Sequence, residues 1–377
     1  MPALAVLIVG CGIAGPVLGV FYKSKGYHAI VFEKVQTLGD AGASLMLMPN
    51  GGGEMKVLSL VGLTDEVAKE SLPLTGFWDG VFSGLRDMDV ELREGWKLES
   101  IQEHEDSVMA IFDGGRTVTG SFLIGCDGIK AASQSIILKM QGIHTGTPTC
   151  TGLAQVAGIS PTPESLDTFR RGSLCNWYGD GKHIIAYPIS VTLTSWARLS
   201  DPAEIEAQRE MLASDLNGFE PVLLNLIKTA TRIIKFGLFD REKLSTGQWH
   251  SKRCVLVGNA AHPTTPHLGQ GANQALEDCY HLMQYMPFME SGSGDYAEKL
   301  KCLDSDLPSL FQVYAERRQP RISALVKEAR AQGDKRVVIT PALCKERDAL
   351  IAAAWSDPDA IRTKYETLLK EPFKLFL

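Results

Sequence analysis

The sequence predicts an α/β protein: a parallel βαβ layer, interrupted by a mostly antiparallel β-sheet and followed by a helical C-terminal part. Three observations predict it. Leu4-Ala-Val-Leu-Ile-Val9 and Ala29-Ile-Val-Phe32 are short continuous apolar runs separated by a glycine turn and a helical stretch, as expected of parallel strands buried on both faces. Residues from about 150 to 245 alternate short strand-like runs with turns, such as Asn176-Trp-Tyr-Gly-Asp-Gly, His183-Ile-Ile-Ala-Tyr-Pro-Ile189 and Leu193-Thr-Ser-Trp-Ala197. The stretch Ala272-Asn-Gln-Ala-Leu-Glu-Asp-Cys-Tyr-His-Leu282 has helical spacing and good helix formers.

Length and charge bound the reading further. A chain of 377 residues is comfortable for two domains. The expected division is 1–150 with 246–335 as one discontinuous domain, 151–245 as the inserted sheet, and 336–377 as a terminal helical segment. A net charge of −6 argues against nucleic acid as the main partner. The eight cysteines are scattered, without a CxxC pair or an accompanying His cluster. That pattern argues against a zinc site and suits a reducing compartment, so the expected location is cytoplasmic. No apolar run approaches the ~18 residues of a membrane span, and no integral membrane segment is expected.

Each element of the βαβ unit has a physical task. The first strand ends in Gly10-Cys-Gly12-Ile-Ala14-Gly15. Gly10 permits a tight turn, Gly12 lets a pyrophosphate approach the backbone, and Gly15 lets the helix from Pro16 to Lys25 pack close to the strand. The helix N-terminus presents free N–H groups to phosphate, and Gly26 can end the helix. The second strand ends in Glu33, followed by Lys34. An acid there accepts hydrogen bonds from a ribose diol and disfavours a 2′-phosphate. The unit is a Rossmann-like site for FAD or NAD, and by itself does not choose between them.

Three further segments choose. Gly39 and Gly42 precede Ala43-Ser-Leu-Met-Leu-Met-Pro49-Asn50. Phe122-Leu-Ile-Gly-Cys-Asp127-Gly128 is a strand ending in an Asp-Gly turn. Gly258-Asn259-Ala-Ala-His262-Pro leads through Pro266-His267-Leu-Gly269-Gln-Gly271-Ala272-Asn273 into the helical stretch. In this order they resemble the single-component FAD-dependent monooxygenases built like para-hydroxybenzoate hydroxylase, which include salicylate hydroxylase-like aromatic hydroxylases and fungal epoxidases. The resemblance runs from about Leu4 to Arg321.

The resemblance implies an extended FAD. Its ADP half would lie on Gly10, Gly12, Ala14, Gly15, Glu33 and Lys34. Ala43, Arg86 and Asp127 would also touch the cofactor, and Asn259, Pro266, Gly269, Gly271, Ala272 and Asn273 would lie along the ribityl chain and ring. A helix N-terminus at the pyrimidine end stabilises the charge of a reduced flavin. NAD(P)H would be a transient co-substrate. A flavin C4a-hydroperoxide would hydroxylate or epoxidise a small aromatic or unsaturated molecule, with a polyketide- or terpenoid-like substrate of secondary metabolism among the options. The sheet over the flavin would carry pocket residues, with Trp177, Tyr178, Tyr187 and Trp196 as candidates. Tyr187 and His267 are candidates for catalytic groups, and His262 is a structural residue before it is a proton shuttle. The expected assembly is a monomer or homodimer.

The sequence departs from that pattern in three places. The Asp-Gly motif usually continues with Ser and Arg, but Ala131 and Gln134 stand there, and Lys130 reads as an exposed turn residue. The region between Val67 and Leu98 looks shortened by roughly several tens of residues, leaving Arg86 as the remnant of an Arg-bearing helix. Asn259 replaces an Asp; it keeps one acceptor oxygen for a ribityl hydroxyl but loses the charge, at an expected cost of about ten-fold in FAD affinity. Together the departures open two alternatives, a non-redox cyclase or isomerase that retains FAD and a degenerate non-catalytic fold.

Overall fold

The computed structural model describes residues 4–38, 54–60, 62, 90–144, 146–164, 174–190, 192–200, 212, 214, 216, 218–289 and 296–369. The order of elements is β1 (Ala5–Val9), α1 (Ala14–Ser24), β2 (His28–Glu33), α2 (Glu54–Ser59), β3 (Glu91–Glu94), β4 (Leu98–Glu103), β5 (Val108–Phe112), β6 (Thr117–Gly120), β7 (Phe122–Gly125) and α3 (Ala132–Met140). Then come β8 (Thr149–Pro161), β9 (Cys175–Gly179), β10 (Lys182–Pro188), β11 (Leu193–Ser200), α4 (Pro221–Thr229), β12 (Arg232–Asp240), β13 (Cys254–Leu256), α5 (Gly271–Tyr285), α6 (Tyr296–Arg336), α7 (Pro341–Trp355) and α8 (Pro358–Leu369).

The apolar runs become a parallel sheet in the order β13-β7-β1-β2-β3. β1 pairs on both sides, with Ile8 opposite Val31 and Ile124. Val6, Leu7 and Ile8 are fully buried; each side chain so buried contributes about 1.5–3 kcal/mol. Phe32 stacks on Phe112 at 4.5 Å, joining this sheet to the small antiparallel sheet β4-β5-β6. Helix α1 ends as expected: Gly26 takes φ +87°, and its N–H reaches the Lys23 carbonyl at 2.9 Å.

The inserted region is a five-stranded sheet in the order β12-β8-β11-β10-β9 with antiparallel pairing throughout. Its register assigns the two faces, because directly paired residues share a face and neighbours along a strand alternate. One face carries Ala154, Val156, Ile184, Ala186 and Trp196, packed with Leu223, Leu226 and Ile227 of α4. The other carries Gln155, Tyr178, His183 and Phe236 in one row, and Tyr187 with Ser195 and Ile159 four residues further along.

This register corrects two of the pocket candidates. Trp196 is buried on the α4 side with its Nε1–H donating to Ser160 Oγ at 2.9 Å, and Trp177 packs on the same cluster. Trp177 and Tyr178 are adjacent in an extended strand, so Tyr178 lies on the face opposite Trp177 and α4. The long C-terminal helix α6 crosses to both parts, with Arg330 Nη2 donating to the Thr151 carbonyl at 3.2 Å.

Candidate functional site

The glycine loop after β1 is shaped by contacts that no side chain would tolerate. Gly10 has φ +107°, and a Cβ there would collide with the Cys126 carbonyl; a Cβ at Gly15 would collide with the Gly10 carbonyl. Helix α1 therefore sits directly against the β1–β7 turn. Gly12 differs: a Cβ there would meet nothing within 4 Å. Helix α1 has no side-chain cap and no acidic residue in its first turn, so its first N–H groups and dipole remain available to an anion beside Gly12.

Glu33 is fixed beside this loop. Its Oε2 accepts from the Cys11 N–H at 2.8 Å and its Oε1 from the Val35 N–H at 3.1 Å. A carboxylate has about four lone-pair positions, so acceptor capacity remains for a diol. Lys34 is exposed. Burial, helped by Glu33 and Glu94, pushes the Cys11 thiol up to about 12, which makes it inert.

The Asp-Gly turn is repaired by residues outside the expected positions. Asp127 accepts the Ser133 hydroxyl and, at 3.0 Å, the Ser133 N–H. Burial raises its pKa and these hydrogen bonds oppose the rise. The hydroxyl missing at Ala131 thus arrives two residues later. Gln134 is buried and donates from Nε2 to the Ala260 carbonyl at 2.9 Å, tying α3 to the glycine-rich loop. Arg241, just beyond β12, bonds Gln134 Oε1 and donates from Nε to the Ile129 carbonyl at 2.9 Å. A guanidinium therefore stands at this turn although position 134 is not Arg. Sequence reading missed Arg241 because it comes from 107 residues away. Lys130 is exposed and lies over the Phe239 ring at 5.7 Å.

The loop from Gly258 to Asn273 is anchored from behind by a buried charge network. Asp278 accepts from the Gly258 N–H at 2.8 Å, from His262 at 2.5 Å and from Arg318 Nε at 2.7 Å. Arg318 also reaches Glu277 at 2.7 Å, and Glu277 is held by Arg321 as well. Burial alone would raise the Asp278 carboxyl; His262 and Arg318 outweigh it and hold the carboxyl at about 2. His262 is therefore a brace of the loop.

The front of the loop is open backbone. Pro266 is exposed, Gly269 takes φ +63°, and α5 begins at Gly271 without a side-chain cap or an acid in its first turn. The expected start at Ala272 is one residue late. Gly269, Gly271 and Ala272 are partly exposed, while Asn273 is buried with Nδ2 donating to the Gly269 carbonyl at 2.7 Å. Asn259 is exposed, and its Oδ1 lies 3.9 Å from where a Cβ at Gly271 would stand. Ala43 and Arg86 lie outside the described residues.

His267 and Tyr187 lie on different elements. His267 is buried against α6, where a Cβ at Gly333 would collide with its ring, and Arg336 Nη1 donates to its backbone carbonyl at 2.7 Å. Tyr187 lies half-buried on β10, four residues beyond His183, or about 13 Å along the strand. No group of His, Cys, Asp and Glu among the described residues is arranged to hold a metal ion. No helix among them is long and apolar enough to cross a membrane.

Two uncapped helix N-termini, an acid held beside a βαβ turn and a glycine-lined approach define a dinucleotide-binding protein. The residues present fit FAD: the open face at Gly12 admits a pyrophosphate, Glu33 retains acceptors for a ribose, and α5 presents N–H groups at the other end. The comparisons agree. A family model described as "FAD binding domain" matches residues 81–329, more than half of the chain. The chain belongs to that family and is a FAD-dependent oxidoreductase of the monooxygenase class.

A curated relative, 3-hydroxybenzoate 6-hydroxylase 1 of Aquipseudomonas alcaligenes, is 27% identical over 320 residues, 74% of this chain and 79% of its own. Another, the Aurachin C monooxygenase/isomerase of Stigmatella aurantiaca, is 26% identical over 74% of this chain and 79% of its own. Among solved structures, Klebsiella pneumoniae HpxO complexed with FAD and uric acid matches with a TM-score of 0.78 and 21% identity, covering 98% of this chain and 97% of that one. A salicylate hydroxylase substrate complex matches with a TM-score of 0.74 and 20% identity over 99% of both chains. At these identities the solved structures establish the fold alone.

Proposed function

We propose that the protein uses NAD(P)H and O2 to hydroxylate or epoxidise a small aromatic or unsaturated molecule, at a site between the glycine-rich loop and the polar face of the inserted sheet. The observation that carries this reading is the uncapped start of α5, where Gly269 to Ala272 present backbone to a ligand under that sheet. Bound FAD supplies the oxygen chemistry; the protein binds, orients and excludes water. Gly10, Gly12, Ala14, Gly15, Glu33 and Lys34 hold the adenosine-pyrophosphate half. Asp127, Asn259, Pro266, Gly269, Gly271, Ala272 and Asn273 form the flavin side, together with Ala43 and Arg86. The α5 dipole stabilises negative charge at the pyrimidine end. His267 is a proton-handling candidate on the loop, and Tyr187 a more distant one on the sheet. The setting is cytoplasmic and the substrate is expected from secondary metabolism.

The names of the relatives support aromatic hydroxylation. A second reading, retention of FAD for a non-redox cyclisation or isomerisation, takes support from the relative whose name joins monooxygenase and isomerase. Turnover under labelled dioxygen separates the two. Hydroxylation places one labelled oxygen atom in the product and consumes NAD(P)H. An unlabelled product of unchanged mass, formed without NAD(P)H, overturns the redox reading.

A further inference from the structure

Gly258 to Ala260 form a tight turn just beyond β13, and two buried side chains from different helices hold it. On one side the Gly258 N–H donates to Asp278 Oδ2 of α5 at 2.8 Å. On the other the Ala260 carbonyl accepts from Gln134 Nε2 of α3 at 2.9 Å. Within the turn, the Ala261 and His262 N–H groups both return to the Gly258 carbonyl at 2.9 Å. Gly258 and Ala260 are buried, and Asn259 between them is exposed. With its neighbours pinned on both sides, Asn259 has its direction set by groups it does not touch itself.

Gln134 holds the Ala260 carbonyl in only one orientation of its amide. A carbonyl only accepts and a guanidinium only donates. Arg241 donates to Gln134 Oε1, which turns Nε2 toward Ala260. Arg241 is itself placed by two further bonds. Its Nε donates to the Ile129 carbonyl at 2.9 Å, and its backbone N–H donates to Asp240 Oδ1 at 2.8 Å. Asp240 ends β12, so the guanidinium ties the last strand of the inserted sheet to the turn beneath Asn259. Gln134 is 1% exposed, so solvent does not replace a partner it loses.

The pairing is chemically specific. An arginine at position 134 would set a second cation beside Arg241. A glutamate would keep the bond to Arg241 but face the Ala260 carbonyl with another acceptor. Glutamine joins an acceptor for Arg241 to a donor for Ala260.

We infer that Gln134 and Arg241 are positioning residues for FAD, acting as one unit that fixes the Gly258–Ala260 turn against the cofactor and aims Asn259. Their action is indirect. Arg241 orients the Gln134 amide, the amide fixes the Ala260 carbonyl, and the fixed turn presents Asn259. This rests on the reading of Asn259 as a ligand of the ribityl chain.

The test is titration of deflavinated protein with FAD, read by flavin fluorescence, with urea unfolding of each apo-protein alongside. Gln134→Met removes both bonds at similar length and is expected to raise the Kd of FAD about 10-fold. Gln134→Glu keeps the acceptor for Arg241, loses the donor to Ala260, and is expected to cost about as much. Arg241→Met frees the amide and should cost about 5–10-fold, whereas Arg241→Lys, which keeps a donor, stays within about 3-fold. The double variant Gln134→Met with Arg241→Met should bind FAD within about 3-fold of Gln134→Met, because both act through one bond. Independent contributions would multiply to about 50–100-fold. A merely structural pair would lower the urea midpoint and leave the FAD affinity of the folded apo-protein unchanged. That result, or multiplied losses in the double variant, overturns the inference. Asn259→Ala tests the underlying reading separately. Weaker FAD binding in Asn259→Ala with unchanged binding in the Gln134 and Arg241 variants fails the pair alone. Unchanged binding in Asn259→Ala with the expected losses in the pair fails the ribityl placement alone and leaves the turn as the pair's point of action.

Discussion

Replacing Asn259 by Asp is expected to tighten FAD binding by about 3–10-fold. Asn259 is exposed, its side chain makes no hydrogen bond within the described residues, and it reaches over the start of α5. A neutral hydrogen bond to a ribityl hydroxyl contributes about 0.5–1.5 kcal/mol and a charge-assisted one about twice that. The uncapped N-terminus of α5 favours a carboxylate by about 0.3–1 kcal/mol in the free and the FAD-bound protein alike, so it leaves the affinity unchanged. Desolvation offsets part of the gain, and the buried Asp278 carboxylate repels little because His262 and Arg318 neutralise it. About 0.7–1.4 kcal/mol remains, which is the stated range. Titrating deflavinated protein with FAD at two salt concentrations measures it, and the gain should shrink as salt rises. An unchanged or weaker affinity in the Asp variant would refute the placement of residue 259 beside the ribityl chain.

The remaining expectations concern the frame of the site. Gly12→Val fills the open face and should weaken FAD binding at least ~100-fold with a melting temperature of the apo-protein close to wild type, whereas Gly15→Ala should cost the apo-protein about 1–3 kcal/mol by overpacking; equal effects on both measurements would contradict the division. Arg318→Met leaves Asp278 and Glu277 short of a buried partner and should cost about 3–5 kcal/mol in a urea titration, with a loss under about 1 kcal/mol counting against the network. The folded pKa values of His183, His267 and His281 lie below 6.5, so the folded state binds fewer protons. Stability should be full above about pH 6.5 and fall as pH drops from there toward 4, visible as a falling urea midpoint. Asp278 is shifted down as well, so its contribution is present above about pH 4 and is lost only between 3.8 and about 2.

The parts of the fold legible in the sequence are those set by near neighbours. The βαβ unit, its glycines and Glu33 lie within one stretch of 30 residues from Leu4 to Glu33, and their geometry follows from local sterics. The antiparallel character of the inserted region was legible from its short runs and turns. Which face of that sheet a residue occupies was less so, because register is set by pairing partners far along the chain. One signal was present: adjacent Trp177 and Tyr178 must point to opposite faces, so they cannot both line one pocket. The repair of the Asp-Gly turn by Arg241 and the Asp278–Arg318 network depend on contacts 107 and 40 residues apart, and no local pattern announces them. Gln134 read as a loss in the sequence; in the fold it is a clamp between α3 and the Ala260 carbonyl.

The visible spectrum of the purified protein, recorded before and after anaerobic addition of NADH or NADPH with an aromatic substrate present, tests the central claim most directly. A FAD-dependent monooxygenase should be yellow, with about one flavin per chain, and should bleach on reduction and recover its colour when air is admitted. A yellow protein that stays oxidised with every reductant and substrate would contradict redox turnover, and a colourless protein that cannot be reconstituted with FAD would contradict the site itself.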